Sequence, residues 1–171
     1  GMLIRARGSI DVYEQRGTYQ MVVQSVQKAG IGDLLLLLEE RKRRLEARGF
    51  FDLNRKRQIP RVPRRVVVIT SPTGAALRDI LDVLRRRHAG IDLTILPTLV
   101  QGPESAGIIV SRIRTANQHR MGDVIILARG GGSLEDLLPF SDESLVEAVS
   151  HSDLPVVSAI GHQTDTSLAD L

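Results

Sequence analysis

The sequence lacks cysteine and tryptophan, and aromatic residues make up only 3% of its 171 residues. Without cysteine there are no disulfides and no thiolate metal sites, and the chain suits a reducing compartment, so we expect a cytoplasmic protein. With so few aromatic rings the chain has almost none of the stacking surfaces that hold single-stranded bases. Any such surface must therefore lie outside it.

Long apolar stretches and nucleotide-binding fingerprints are also missing. The longest apolar run near the start, residues 34–38, is far too short to cross a bilayer, which argues against a membrane role. No loop ends in Gly-Lys-Ser/Thr and no GxGxxG pattern occurs, so the use of ATP or NAD is unsupported. Hydrophobic residues make up 42% of the chain, which is enough for one main domain with a buried core.

What the chain does have is a concentration of positive charge. Residues 41–65 hold eleven Lys or Arg against two acids, a balance of +9, so the rest of the chain sums to −6 within the net charge of +3. Such a block suits a polyanion, which it would bind by neutralising phosphates and releasing counterions. It equally suits a solvated helix face followed by a linker. We expect Arg64 and Arg65, at the end of the block, to contact nucleic-acid phosphates.

The first part of the chain is typical of a β-hairpin, because residues 3–26 alternate apolar and polar side chains. The expected inward positions are Ile10, Val12, Tyr19, Met21 and Val23. Two or three strands do not form a stable sheet alone. We therefore assign residues 1–26 to the end of a small β domain that begins outside this chain.

Residues 27–64 are predicted to form a helix and a basic linker. The helix covers residues 31–48, where Asp33 is able to cap the start and Gly49 is able to end it. Two prolines among basic residues favour a linker over residues 52–64.

Residues 65–171 alternate short apolar runs with stretches of helix length. The predicted strands are Val66–Ile69, Leu93–Leu96, Val124–Ala128 and Pro155–Ile160, and the predicted helices cover residues 75–88, 104–119 and 142–150. Continuous apolar strands joined by helices indicate an α/β fold, with a mostly parallel sheet and helices on both faces. In such sheets ligands bind beyond the carboxyl ends of the strands.

The loop after the third strand is the most informative of these ends. The sequence VIILARGGGS runs from an apolar strand into Arg129, three glycines (Gly130, Gly131 and Gly132) and Ser133. Glycines without Cβ atoms let backbone N–H groups turn toward one point, and the arginine adds a fork of donors. This pattern predicts a phosphate site, although three glycines also suit a tight turn where a helix and a sheet meet closely.

Two other strand ends carry candidate groups. Ser71 and Thr73 precede the first helix and either bind phosphate or cap that helix. Asp79, further along the same helix, is either a surface aspartate or a partner of Arg129. After the fourth strand come His162 and Asp165, and an imidazole beside a carboxylate is a workable general acid and base near neutral pH.

These motifs, taken in order, resemble the large-subunit family of exodeoxyribonuclease VII. The matching stretches are SIDVYEQRGTYQMVV (9–23), VVVITSPTGAALRDILDVLRRR (66–87), LVQGPESA (99–106), DVIILARGGGSLEDLLPFSDE (123–143) and PVVSAIGHQTDTSLADL (155–171). They cover essentially the whole chain. The resemblance implies that residues 1–26 end an OB-fold that binds single-stranded DNA, and that residues 65–171 hold most of a nuclease domain.

By the same resemblance, the activity is exonucleolytic hydrolysis of single-stranded DNA to short oligonucleotides. The positions that the family's catalytic motifs match are Asp79, Arg129, His162 and Asp165. The implied partners are single-stranded DNA and several copies of an exonuclease small subunit. The small subunits are expected to bind regions outside this chain. We therefore expect the chain alone to bind DNA weakly and to cleave little or nothing.

Two departures and the question of metal bear on this mechanism. Gln163 stands where the family usually has glutamate, and LLPFSDE replaces a form of that loop with tryptophan and asparagine. The resemblance implies activity that need not depend on a divalent ion. Four acids follow the glycine loop: Glu135, Asp136, Asp142 and Glu143. They either supply carboxylate ligands for Mg²⁺ or are solvated acids at the starts of helices.

Two other functions compete with this one. A non-catalytic single-stranded DNA-binding module would use the basic block and the glycine loop only to hold phosphates. An α/β enzyme for a small phosphorylated metabolite would use the glycine loop alone, and the basic block at residues 41–65 argues against it.

Overall fold

The structure, a computed structural model, describes residues 4–13, 17–28, 30–87, 90–162 and 166–171. Its contacts divide the chain into two compact units, Gly1–Glu40 and Arg41–Leu171. None of the helices in the described part of the chain is both long enough and apolar enough to span a bilayer.

The first unit contains an antiparallel pair of strands, β1 (Ile4–Tyr13) and β2 (Thr18–Lys28). The pairing confirms the hairpin and puts the apolar side chains of Ile10 and Met21 opposite each other. These side chains were expected to point inward, but Ile10 is 78% exposed and Met21 is 50% exposed. The assignment to an OB-fold stays a prediction.

Helix α1 (Ile31–Ala47) begins at the predicted residue and ends one residue before the predicted end. At its start Asp33 and Gly30 exchange hydrogen bonds, with the N–H of Gly30 donating to Asp33 Oδ2 at 3.3 Å. At its end Gly49 has φ of +70°, and the N–H of Phe50 donates to the carbonyl of Leu45. Glycine is needed here because a left-handed turn strains residues that carry a Cβ atom.

The second unit contains a parallel four-stranded sheet in the order β4-β3-β5-β6. Its strands are β3 (Arg65–Thr70), β4 (Asp92–Pro97), β5 (Val124–Arg129) and β6 (Val156–Ile160), and its helices are α2 (Ala75–Arg87), α3 (Ser105–Gln118), α4 (Leu134–Leu137) and α5 (Glu143–Ser150). The predicted parallel α/β fold is thereby confirmed.

Alternate residues of β3 pack into two different clusters. Val67 and Ile69 join a core with residues of α3 and α5, whereas Val66 and Val68 pack with Ile80 of α2. Both sheet faces therefore carry helices, and this explains why the strands read as continuous apolar runs. The carboxyl ends of all four strands lie along one edge of the sheet, where the candidate residues follow them.

Within the second unit, the segment between α1 and β3 is irregular chain with a short 3₁₀ turn at Leu53–Arg55. The Arg55 guanidinium donates to Ser150 Oγ at 3.1 Å, and the backbone N–H groups of Arg64 and Arg65 both donate to Asp123 Oδ2 at 2.9 Å. These hydrogen bonds and the Arg65 guanidinium hold the pKa of Asp123 below its ordinary value. Part of the predicted linker is thus fixed by its own basic residues.

Candidate functional site

The site is built at the ends of two neighbouring parallel strands. Arg129, the last residue of β5, pairs with Ile160, the last residue of β6, and the N–H of Gly161 donates to the Arg129 carbonyl at 3.0 Å. Gly161 then turns with φ of +71°. This turn brings His162 beside the loop that follows Arg129, although the two residues are far apart in the sequence.

The glycine loop makes room for these two side chains. A Cβ atom added to Gly131 would overlap the imidazole ring of His162, and one added to Gly132 would overlap the Arg129 guanidinium. None of the three glycines has a left-handed φ. Close approach of an imidazole and a guanidinium therefore explains Gly131 and Gly132, whereas a Cβ atom on Gly130 would meet open space.

Arg129 lies beneath the loop and is only 6% exposed. Its Nη1 donates to the Gly130 carbonyl at 2.9 Å, and its Nη2 lies 3.2 Å from Asp136 Oδ2. The Asp136 side chain is 41% exposed, so this ion pair lies at the edge between protein and solvent. The positive charge thus has one carboxylate partner among the described residues.

Ser133 and Asp136 form a capping box at the start of α4. The Ser133 N–H donates to Asp136 Oδ2, and the Asp136 N–H donates to Ser133 Oγ, both at 3.3 Å. The hydrogen bond from the Ser133 backbone, with further help from its hydroxyl and from the Arg129 charge, keeps the pKa of Asp136 below its usual value. Ser133 was predicted to bind phosphate, but its backbone N–H and its hydroxyl oxygen both form hydrogen bonds within the cap.

The loop after β3 lies next to the end of β5. Thr70 is buried and its hydroxyl donates to the Ala128 carbonyl at 2.7 Å. The hydroxyl oxygens of Ser71 and Thr73 lie 3.4 Å apart, and Arg78 Nη2 donates to the Thr73 carbonyl at 3.4 Å. Two hydroxyls and a guanidinium are thus grouped on a second loop of the same sheet edge.

The other predicted residues are placed less closely. Asp79 is exposed on α2, and it makes no hydrogen bond or ion pair with any residue that the structure describes. Asp165 and Gln163 lie outside the described residues. The guanidinium of Arg65 is turned to Asp123 Oδ1 at 3.1 Å, and Arg64 is exposed. The structure therefore joins Arg129 and His162 to the glycine loop and gives Asp79 no contact with it, and the position of Asp165 stays a prediction.

The acids that permit a metal ion have protein partners in most cases. Asp136 contacts Arg129, Asp142 accepts a hydrogen bond from the Ser144 N–H at 2.9 Å, and Glu143 lies 2.6 Å from Arg44. Within the described ranges, no group of three or more His, Asp or Glu side chains lies close enough to hold a metal ion. Among the described residues, these acids therefore do not form a divalent metal centre.

The glycine loop is open to solvent, which bears on the size of the ligand. Gly130, Gly131, Gly132 and His162 are all exposed. A cavity of about 270 Å³ in the same unit is lined by other residues, among them Phe50, Val149 and Leu168. Small metabolites are usually enclosed in cavities, whereas an exposed edge admits a polymer.

Comparison with known proteins identifies the family. A family model described as "Exonuclease VII, large subunit" matches residues 50–171. The chain belongs to this family. Relatives named "Exodeoxyribonuclease 7 large subunit" include proteins of Caldanaerobacter subterraneus subsp. tengcongensis (48% identity over 99% of the chain), Thioalkalivibrio sulfidiphilus (50% over 100%) and Stenotrophomonas maltophilia (51% over 99%).

The chain covers only part of each of these large subunits. It spans 42% of the Caldanaerobacter protein and 38% of the other two. The predicted membership of the exonuclease VII large-subunit family is confirmed. The activity, the substrate and the partners of the whole protein are matters of proposal.

Sequence reasoning found the arginine, the glycines and the histidine but missed the use of Asp136. The spacing of Ser133 and Asp136 is that of a capping box, which was the available signal. The contact of Asp136 with Arg129 crosses the turn of the glycine loop, and no local pattern indicates it.

Proposed function

We propose that this chain carries the hydrolytic site of an exonuclease that cuts single-stranded DNA phosphodiesters into short oligonucleotides. The observation that carries the proposal is the packing of the Arg129 guanidinium and the His162 imidazole against adjacent glycines of one loop. The family membership and the exposure of the loop support a DNA strand as the ligand.

In the proposed reaction a water oxygen attacks the phosphorus, the bond to one sugar oxygen breaks, and that oxygen leaves with a proton. His162 either takes the proton from the attacking water or gives one to the leaving oxygen. An imidazole suits either role because it gains and loses a proton near neutral pH. Asp165, three residues further on, is proposed to orient the ring.

Arg129 and the loop amides are proposed to stabilise the negative charge that grows on the phosphoryl oxygens. The Arg129 guanidinium is largely buried, and a charge in such surroundings acts more strongly on a nearby anion than a charge in water. Ser71 and Thr73, on the neighbouring loop, are proposed to bind the flanking phosphate. Asp79 is proposed as a further catalytic carboxylate on the same side of the sheet.

The remaining parts of the proposal concern the whole protein. We propose that the β1–β2 pair belongs to an OB-fold that holds the strand, and that several small subunits bind outside this chain. We also propose that the protein acts in the cytoplasm. The proposed mechanism uses no metal ion, because three of the four acids after the glycine loop contact other protein groups, namely Asp136, Asp142 and Glu143. Cleavage by the complete enzyme in excess EDTA is therefore expected to persist, and its loss would contradict this point.

The test uses the full-length protein with its small partner and labelled single-stranded oligonucleotides. The parent should cleave them, His162→Ala should bind them and not cleave them, and Arg129→Ala should lose both cleavage and affinity. Binding without cleavage by the parent would favour the non-catalytic module instead. Full activity in His162→Ala would contradict the proposed mechanism.

A further inference from the structure

Asp136 contacts the only buried guanidinium of the described glycine-loop region. Its Oδ2 lies 3.2 Å from Arg129 Nη2 and accepts the Ser133 N–H at 3.3 Å. One carboxylate oxygen is therefore shared between the backbone at the end of the loop and the arginine beneath it. The same oxygen fixes the loop and the guanidinium relative to each other.

Helix capping alone does not account for this arrangement. Asp142 caps α5 through its contact with the Ser144 N–H, and it does so without an arginine. Helix α5 has eight residues, whereas α4 has only four, so a cap on α4 stabilises much less regular structure. The position of Asp136 is better explained by what it does to Arg129.

We propose that Asp136 is a positioning residue that holds the Arg129 guanidinium beneath Gly132, in the orientation in which it meets the scissile phosphate. The inference rests on the hydrolytic function proposed above. An arginine side chain has several rotatable bonds, and among the described residues the Arg129 guanidinium makes one other hydrogen bond, to the Gly130 carbonyl at 2.9 Å. A fixed donor stabilises developing charge better than a mobile one, because it does not have to reorganise during the reaction.

The carboxylate also neutralises Arg129 before the substrate arrives. If its charge is removed, the guanidinium attracts a phosphate more strongly in the ground state but no longer holds the geometry of the transition state. Asp136→Asn should therefore lower kcat and lower KM together, which is the signature of lost orientation with retained attraction. Loss of folded protein lowers kcat and leaves KM unchanged.

The experiment measures kcat and KM of the full-length protein with its small partner on a labelled single-stranded oligonucleotide. For Asp136→Asn we expect kcat to fall at least tenfold and KM to fall. Asp136→Glu, which keeps the charge, should recover most of kcat. Asp142→Asn is the matched control, because it makes the same chemical change in a neighbouring cap that does not touch Arg129, and it should keep both constants. Thermal unfolding of each variant shows whether it is folded.

Three results would overturn the inference: a kcat of Asp136→Asn within twofold of the parent, a fall in kcat with unchanged KM, or an Asp136→Glu variant as slow as Asp136→Asn. If the parent itself does not cleave DNA, the proposed function fails and Asp136 is tested by oligonucleotide affinity. Asp136→Asn should then bind more tightly than the parent, and the gain should vanish in an Arg129→Ala background. An unchanged affinity would reject the role of Asp136 on its own.

Discussion

Replacing Gly131 by alanine should separate catalysis from stability. The added methyl group would overlap the His162 ring, and the ring must withdraw by about 1 Å or more to reach ordinary van der Waals contact. His162 is exposed, so displacing its ring removes little buried surface. The backbone at Gly131 is not left-handed, and alanine fits it without strain. The free energy of unfolding should therefore change by less than about 1 kcal/mol.

The expected effect on catalysis is much larger. A misplacement of about 1 Å in a catalytic group costs on the order of 100-fold in rate. This corresponds to about 2.7 kcal/mol in the activation free energy, at 1.36 kcal/mol for each factor of ten. Gly131→Ala should thus fold like the parent and cleave single-stranded DNA about 100-fold more slowly.

The other two glycines of the loop supply the comparison. In Gly132→Ala the methyl group meets the Arg129 guanidinium, which is buried and paired with Asp136 and has nowhere to withdraw. Overpacking of this kind costs about 1–3 kcal/mol, so both stability and activity should fall. In Gly130→Ala the methyl group meets open space, and the loss should be the smallest of the three.

The assay is the cleavage rate of the full-length protein on a labelled oligonucleotide, together with its thermal unfolding midpoint. The reasoning predicts three different outcomes: activity lost alone at Gly131, activity and stability lost at Gly132, and little lost at Gly130. Equal losses at all three positions, or a Gly131→Ala variant within threefold of the parent rate, would refute it.

Three further changes test other contacts. Because folding lowers the pKa of Asp123, its carboxylate stabilises the protein at pH values above the ordinary pKa of 3.8. This contribution is lost as the pH falls through the lowered pKa. The difference in free energy of unfolding between Asp123→Asn and the parent, measured by chemical denaturation, should therefore close in acid. Ser158 Oγ is buried without a partner among the described residues, so Ser158→Ala should raise the free energy of unfolding by about 1 kcal/mol. Lys56→Ala should reduce the slope of log DNA affinity against log salt concentration by about 0.7, whereas Arg44→Ala, whose side chain is paired with Glu143, should change it little.

The α/β fold was predictable because its signals are local. Four consecutive β-branched residues at Val66–Ile69 read as a buried strand, and β3 extends one residue beyond them on either side. Gly49 marks the end of α1 because the backbone there is left-handed, a conformation that glycine adopts without strain. Such patterns depend on neighbours within a few residues, and sequence shows them directly.

The environment of the hairpin was not predictable in this way. Alternation in β1 and β2 predicts which side chains share a face, and in the observed register Val12 pairs with Tyr19. It does not say what covers that face, and Tyr19 is 82% exposed. Burial depends on a second layer, and no pattern within the strands specifies one.

In the site, the sequence indicated which residues matter but not the contacts between them. Three glycines suggested a turn of backbone amides, whereas the structure gives Gly131 and Gly132 the role of admitting His162 and Arg129. Gly131 and His162 belong to different strand ends, and their contact exists only because β5 and β6 pair in parallel. The order of the strands in the sheet determines that contact, and the sequence of neither loop indicates this order.

The basic block shows how a charge pattern divides once it is folded. Three of its arginines form ion pairs with acids from the part of the chain whose charges sum to −6. The pairs are Arg44 with Glu143, Arg48 with Glu147 and Arg65 with Asp123. These pairs fix the block against α5 and the start of β5 within the second unit, and they reduce the charge left for a ligand. In the proposed function, the remaining basic side chains of the block and the glycine loop would hold a phosphate backbone together, so neither of the two interpretations of the block is complete by itself.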